Sequence, residues 1–109
     1  MSGPLDVGEA ELRILLAILR RHVPDRTVWA FGSRVTGKAK PFSDLGLAIL
    51  GDTPLSIDTL AELNEALAES DLPWKVDVLD WARTSPAFRQ IIEAQHVVLQ
   101  AAQCGPAAS

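Results

Sequence analysis

A chain of 109 residues with 48% hydrophobic residues and a formal net charge of -4 has room for one domain with a single core. The acidic balance argues against nonspecific binding to nucleic acid or to an anionic membrane, because both reward excess positive charge. The single cysteine, Cys104, cannot form an internal disulfide, and no stretch approaches the roughly 18 consecutive apolar residues of a membrane-spanning helix. We therefore expect one cytoplasmic domain over residues 1–109, ordered from about residue 6 to about residue 100.

The first half of the chain predicts one helix, two strands and a second helix. Leucines recur at helical spacing between residues 12 and 19, and Pro24 ends this helix. Residues 27–31 predict a short buried strand, and residues 44–50 predict a second one. After a turn, Ser56 is placed to cap a helix whose apolar residues share one face.

The second half predicts a third strand and a third long helix. Pro73 breaks the preceding helix, and residues 74–79 predict the strand. Ser85 followed by Pro86 is typical of a helix start, and this helix is expected to run to about Gln95. Residues 96–99 are either a last short strand or a frayed end. The expected order is α-β-α-β-α-β-α, an α/β (α+β) fold with a small mixed sheet flanked by helices.

Polar residues stand at particular ends of these strands. Gly32 and Ser33 follow the first strand, whereas Asp44 opens the second, so they can share a site only if the two strands are antiparallel neighbours. A right-handed crossover would then set the third strand parallel to the second, with Asp77 beside Asp44. A small residue and a hydroxyl at a strand-to-helix turn let backbone N–H groups approach a phosphate, and nearby carboxylates can hold a divalent metal.

Each of these residues also has a structural interpretation. Gly32 and Ser33 can form only a turn, and Asp44 can be a turn residue at a strand entry. Arg34 and Lys38 belong either to a solvated loop or to a surface that contacts phosphate or acceptor. Asp77 lies between two valines in a strand expected to be buried, where an unpaired carboxylate is costly, which favours a metal or a cation as its partner.

Asp80 is interpreted differently from Asp77, although both belong to the third predicted strand or its end. The alternation of side chains along a strand places Asp80 on the face opposite to Asp77. Asp80 is therefore expected to serve as a cap or turn residue.

Together these residues resemble the minimal nucleotidyltransferase (MNT) family of the DNA polymerase β superfamily. The family pattern is an apolar strand ending in Gly-Ser, a loop, Asp-x-Asp on the next strand, and a third carboxylate on the following strand. Gly32 and Ser33 match the Gly-Ser. Ser43 and Asp44 match the start of the paired aspartates, and Asp77 matches the third carboxylate. The resemblance extends over nearly the whole chain.

The resemblance implies a polymerase β palm-like fold and the transfer of a nucleoside monophosphate from an NTP, foremost ATP, to an acceptor hydroxyl. It implies Mg²⁺ as the metal, with Asp44 and Asp77 as catalytic and metal-binding residues. The nucleotide-binding residues that it implies are Gly32, Ser33, Arg34, Lys38 and Ser43. It also implies a helical HEPN-type partner protein in a toxin-antitoxin module, where the MNT protein silences its partner by binding it or by adding AMP.

The chain departs from the family pattern at the second paired aspartate, which is Gly46. One anionic metal ligand is therefore missing, and three interpretations of the function stay open. In the first, the chain is a nucleotidyltransferase. In the second, it is a catalytically lapsed antitoxin or regulatory subunit that binds its partner, and in the third it is a nucleic-acid-binding domain. The acidic balance and the lack of an aromatic platform among basic residues disfavour the third. Replacing Gly46 with Asp is expected to restore or raise transfer at modest cost to folding, because a polar face is expected there.

The hydrophobic content also predicts association. A chain this short cannot bury all of its apolar residues in one core, so we expect an apolar surface on the outer helices. That surface would bind either the helical partner or a second copy of the chain in a homo-oligomer.

Overall fold

The structure, a computed structural model, describes residues 7–32, 35 and 44–101. The helices in this part of the chain are α1 (Glu9–His22), α2 (Ile57–Ala68) and α3 (Pro86–Ala94), with a 3₁₀ turn at Trp81–Arg83. The strands are β1 (Val28–Phe31), β2 (Leu45–Ile49), β3 (Val76–Asp80) and β4 (Val97–Gln100).

The predicted elements are all present within the described residues, with shifted ends. Strand β3 begins at Val76, so Trp74 lies before the strand. The segment after Gln95 forms β4, so the strand alternative was correct and the predicted order with a helix last was wrong. The order α-β-α-β-α-β-α also contains a helix between the first two strands, and that segment lies outside the described residues except for Val35.

The four strands form one mixed sheet in the order β3-β2-β1-β4. Strand β1 is antiparallel to both β2 and β4, whereas β2 and β3 are parallel. These pairings confirm the antiparallel and parallel arrangements predicted from the positions of the polar residues. Because the crossover between β2 and β3 contains α2, the parallel pair can form side by side.

The hydrophobic core lies between one face of the sheet and helices α1 and α2. Strand β2 has a strand on each side and is buried at every position. The largest side chains withdrawn from solvent are aliphatic, and burying each contributes about 1.5–3 kcal/mol. In this core they are Leu15, Leu19, Leu45, Leu47, Ile49 and Leu63.

The other face of the sheet carries aromatic side chains. The Trp29 ring stacks on His96 with centroids 3.8 Å apart and meets the edge of Trp81 at 5.4 Å. Arg89 of α3 lies over the Trp81 ring at 5.2 Å and donates to the Trp81 carbonyl oxygen, with Nη2 at 2.6 Å. These contacts hold α3 against a face that α1 and α2 do not cover.

The two predicted serine caps are confirmed. Ser56 Oγ accepts a hydrogen bond from the Thr59 N–H at 3.1 Å, and Ser85 Oγ accepts one from the Phe88 N–H at 3.3 Å. Each cap satisfies a backbone donor that the first helical turn leaves free. Among the described helices, none is both long and apolar enough to cross a membrane.

Asp80 is a structural residue at the end of β3. Its carboxylate is 8% exposed and accepts hydrogen bonds from the Leu55 N–H at 2.9 Å and the Ala82 N–H at 3.3 Å. The Arg83 guanidinium lies 3.6 Å away. The carboxylate thus caps the 3₁₀ turn and ties the loop before α2 to the sheet, as the cap prediction requires.

We expect Asp80→Ala to lower the free energy of unfolding by about 1–3 kcal/mol, because it leaves the buried Leu55 N–H without an acceptor. Asp77→Ala is the matched control, since Asp77 lies on the same strand with an exposed side chain, and we expect a change within about 0.5 kcal/mol. Urea unfolding of the two variants measures the difference. Equal losses in both would show that the Asp80 hydrogen bonds contribute little.

Candidate functional site

A cleft of about 420 Å³ opens on the aromatic face of the sheet. Its volume lies within the range of about 300–1,000 Å³ that small-molecule sites occupy. The residues that line it come from the ends of three strands and from α3. They are Phe31, Gly32, Asp44, Gly46, Asp77, Val78, Leu79 and Phe88.

Strand register brings the two predicted carboxylates to this cleft. Gly46 is paired with Phe31 on one side and with Asp77 on the other, so these three residues form a row across one face of the sheet. Asp44 lies two residues before Gly46 and therefore on the same side of the strand. Asp44 and Asp77 both line the cleft.

The surroundings of Asp77 differ from the sequence-based expectation. Asp77 was expected in a buried strand, but its side chain is exposed, as is that of Asp44. Strand β3 lies at the edge of the sheet that the described strands form, and Asp77 is on the face that α1 and α2 do not cover. The argument that burial demands a cationic partner for Asp77 was therefore wrong, and its place in the cleft beside Asp44 is what makes it a candidate ligand.

Gly32 occupies a turn that suits glycine. Its φ is +99°, a value that side-chain-bearing residues rarely adopt. Its carbonyl oxygen accepts a hydrogen bond from the Val35 N–H at 3.0 Å, and Val35 is anchored in the core with 4% exposure. The chain therefore turns sharply where β1 reaches the cleft. Four other predicted nucleotide-binding residues, Ser33, Arg34, Lys38 and Ser43, lie outside the described residues.

The donor set fits one hard divalent cation. Magnesium is commonly held by one or two carboxylates, with phosphate oxygens and water completing its octahedron. Asp44 and Asp77 supply that number of carboxylates in one cleft. Over residues 7–32, 35 and 44–101, no group of three or more His, Cys, Asp or Glu side chains is placed to hold a metal. The described residues thus offer two carboxylates in the cleft, which fit an ion shared with a nucleotide.

The position of the missing carboxylate is filled by an aromatic ring. A Cβ built on Gly46 would lie 2.7 Å from Cε1 and Cζ of Phe31 and 3.0 Å from its Cδ1. Carbon atoms in ordinary contact lie about 3.5–4.0 Å apart, so any side chain at Gly46 requires the ring to shift. The face around Gly46 is thus aromatic as well as acidic, and the modest folding cost expected for Gly46→Asp stays a prediction.

Sequence reasoning missed the two phenylalanines of the cleft. Phe31 was recognised only as the end of a strand and Phe88 only as part of a helix. Their rings meet edge to face with centroids 5.9 Å apart. The register between β1 and β2 is the information that would have placed Phe31 opposite Gly46, and the local sequence does not contain it.

Comparison with known families and proteins agrees with this geometry. The model of the family described as "Polymerase beta, Nucleotidyltransferase" matches residues 15–103. The probable protein adenylyltransferase MntA of Haemophilus influenzae is 57% identical over 96 residues, which are 88% of this chain and 84% of the relative.

Solved structures of similar fold come from toxin-antitoxin complexes. A toxin-antitoxin crystal structure with AMP-PNP matches with a TM-score of 0.71 and 28% identity, over 84% of this chain and 74% of that chain. An MNT antitoxin in complex with the tri-AMPylated HEPN toxin of Shewanella oneidensis matches with a TM-score of 0.65 and 25% identity, over 87% and 73% of the two chains. With its matched sequence, strand order and cleft, the chain belongs to the polymerase β nucleotidyltransferase family.

Proposed function

We propose that this chain is an antitoxin-type nucleotidyltransferase that holds Mg²⁺ and an NTP, foremost ATP, in the cleft of Asp44 and Asp77. The observation that carries the proposal is that both carboxylates line one cleft beside the Gly32 turn. The similar complex with AMP-PNP and the similar MntA, a probable adenylyltransferase, support ATP as the nucleotide. We further propose that residues 1–109 act as one nucleotidyltransferase domain in the cytoplasm.

The partner that we propose is a helical HEPN-type protein. The similar MNT antitoxin is bound to a HEPN toxin that carries AMP groups. In this chain the cleft is open on the face that α1 and α2 do not cover, and Phe88 and Ile91 of α3 are 37% and 65% exposed. An acceptor hydroxyl on the partner can thus approach the carboxylates from solvent.

Each site residue has a proposed role in this function. Asp44 and Asp77 would hold the metal ion, which when bound neutralises phosphate charge. The backbone at Gly32 and Ser33 would face a phosphate, because N–H groups in a tight turn form an anion-binding concavity. Arg34, Lys38 and Ser43 are proposed as further contacts to the nucleotide.

In nucleotide transfer the protein itself takes little part in making and breaking covalent bonds. The acceptor oxygen forms a bond to the α-phosphorus while the bond from that phosphorus to pyrophosphate breaks, and the hydroxyl proton passes to water in the open cleft. Rate then depends on the positioning of the two reactants and on charge stabilisation. A missing carboxylate at Gly46 weakens both, so we expect slow transfer.

A second candidate function follows from the ring over Gly46. If the cleft only binds nucleotide, the chain silences its partner by forming the complex, as a catalytically lapsed antitoxin or regulatory subunit. The observation that favours this candidate is the Phe31 ring, which lies where a side chain at position 46 would begin. The two candidates differ in transfer rate and agree on the binding partner.

We expect Asp44→Asn and Asp77→Asn each to weaken the binding of Mn²⁺ with AMP-PNP by about tenfold or more, roughly 1.4 kcal/mol, because each removes an anionic metal ligand. Calorimetric titration measures the loss. Asp52→Asn is the matched control, since Asp52 is an exposed aspartate in the loop after β2 and outside the cleft. The affinity of this variant for Mn²⁺ with AMP-PNP should be unchanged. An unchanged affinity for Mn²⁺ with AMP-PNP in both cleft variants would show that Asp44 and Asp77 do not bind the metal.

We expect the natural chain to transfer AMP to its HEPN-type partner about 10²–10³-fold more slowly than a nucleotidyltransferase that carries both aspartates of the family motif transfers it to its own acceptor. This factor is the scale of losing one preorganised electrostatic group. Mass spectrometry of the co-expressed partner over time measures the rate. A complex that silences the partner without any added AMP would favour the second candidate function. Equal rates would show that the missing carboxylate does not limit transfer.

A further inference from the structure

We propose that Phe88 of α3 forms a subsite for the base of the nucleotide, which is held there by stacking and apolar contact and is not identified by side-chain hydrogen bonds. The cleft then binds adenine and guanine nucleotides with similar affinity. This inference rests on the proposed function, because it takes the nucleotide in the cleft as given. It adds a binding residue that lies outside the Gly-Ser turn and the aspartates.

The lining of the cleft is divided between two kinds of side chain. Asp44 and Asp77 supply its charge, whereas the other described side chains of the lining are apolar. These apolar side chains are Phe31, Val78, Leu79 and Phe88. A nucleotide has the same division, since its phosphates are anionic and its base has flat π-faces that stack on aromatic rings. When a metal on the two aspartates binds the phosphates, the apolar lining is the part of the cleft that is left for the base.

The ring of Phe88 is both held in place and accessible. It meets the Phe31 ring edge to face, with centroids 5.9 Å apart and an angle of 89° between the planes. The Ser85 cap accepts a hydrogen bond from the Phe88 N–H at 3.3 Å, and Arg89 ties the same helix to the Trp81 carbonyl oxygen. Phe88 is nevertheless 37% exposed. A base that stacks on this ring does not have to order a flexible side chain, which favours binding.

The described lining offers the edge of the base no neutral hydrogen-bonding side chain. Its polar side chains are the two aspartates, which the proposed function assigns to the metal. Sites that discriminate strongly between similar substrates use donors and acceptors that the wrong substrate leaves unpaired, whereas apolar pockets discriminate weakly. Adenine and guanine differ in their hydrogen-bonding groups, and both have the flat ring system that stacks. Discrimination between them in this cleft is therefore small.

Calorimetric titration with three ligands in the presence of Mn²⁺ tests the base subsite. The ligands are AMP-PNP, GMP-PNP and inorganic tripolyphosphate, which lacks the base and the ribose. We expect the natural chain to bind AMP-PNP and GMP-PNP with affinities within about threefold of each other. A preference for AMP-PNP of more than about 100-fold would show that hydrogen bonds identify the base, and would overturn the inference.

Phe88→Ala removes the ring. We expect it to weaken the binding of both nucleotides by about tenfold or more and that of tripolyphosphate by less than about twofold, because only a ligand with a base loses its stacking partner. Phe88→Tyr keeps the ring and should bind all three ligands as the natural chain does. Ile91→Ala is the matched control, since Ile91 is an exposed apolar residue of the same helix that does not line the cleft, and its three affinities should be unchanged.

An equal loss for all three ligands in Phe88→Ala would show that Phe88 only supports the fold of the cleft, and would overturn the base subsite. Unchanged nucleotide affinities in that variant would overturn it as well and leave the ring as a contact for the acceptor. The tripolyphosphate titration separates these results from a failure of the proposed function. If the natural chain binds tripolyphosphate with Mn²⁺ and gains no affinity from the base, only the subsite fails. If it binds none of the three ligands, the metal site of the proposed function fails and the subsite fails with it.

Discussion

The antiparallel pairing of β1 with β2 is the constraint on which the site depends. It brings the turn at Gly32, which ends β1, to the end of the sheet where Asp44 opens β2. The same register sets Phe31 opposite Gly46 and leaves the ring over the glycine. Because side chains alternate along a strand, a shift of one residue in the pairing of β1 with β2 would place Phe31 on the core face. The residues that line the cleft would then no longer lie together.

The sheet divides two tasks between its faces. On one face α1 and α2 bury aliphatic residues, and this packing holds in place the strands on which the site is built. On the other face an aromatic group around Trp29 and the pair Phe31–Phe88 leave a cleft beside two exposed carboxylates. Helix α3 belongs to this second face, with Ile92 buried and Ile91 turned to solvent. Stability and chemistry are thus carried by different residues of the same strands.

Strand β3 shows this division within five residues. Asp77 is exposed and lines the cleft, whereas Asp80 is buried and accepts hydrogen bonds from two backbone N–H groups. The alternation of the strand separates them, and the edge position of β3 exposes the first. Two aspartates of similar sequence surroundings therefore have unrelated physical roles. The cleft thus combines two carboxylates with an aromatic wall.

The sequence by itself determined the elements before residue 96 that lie in the described part of the chain, both serine caps and the role of Asp80, because these depend on periodicity and on short-range hydrogen bonds. It left the last strand, β4, open. It also determined that β1 and β2 are antiparallel and that β2 and β3 are parallel, since only those directions bring Gly32, Asp44 and Asp77 to one site. The tertiary structure alone decided that Asp77 is exposed, because this depends on which strand lies at the edge of the sheet. It alone placed Phe31 over Gly46, because the contact arises from the register of two strands and from the packing of α3, and neither is encoded in a local pattern.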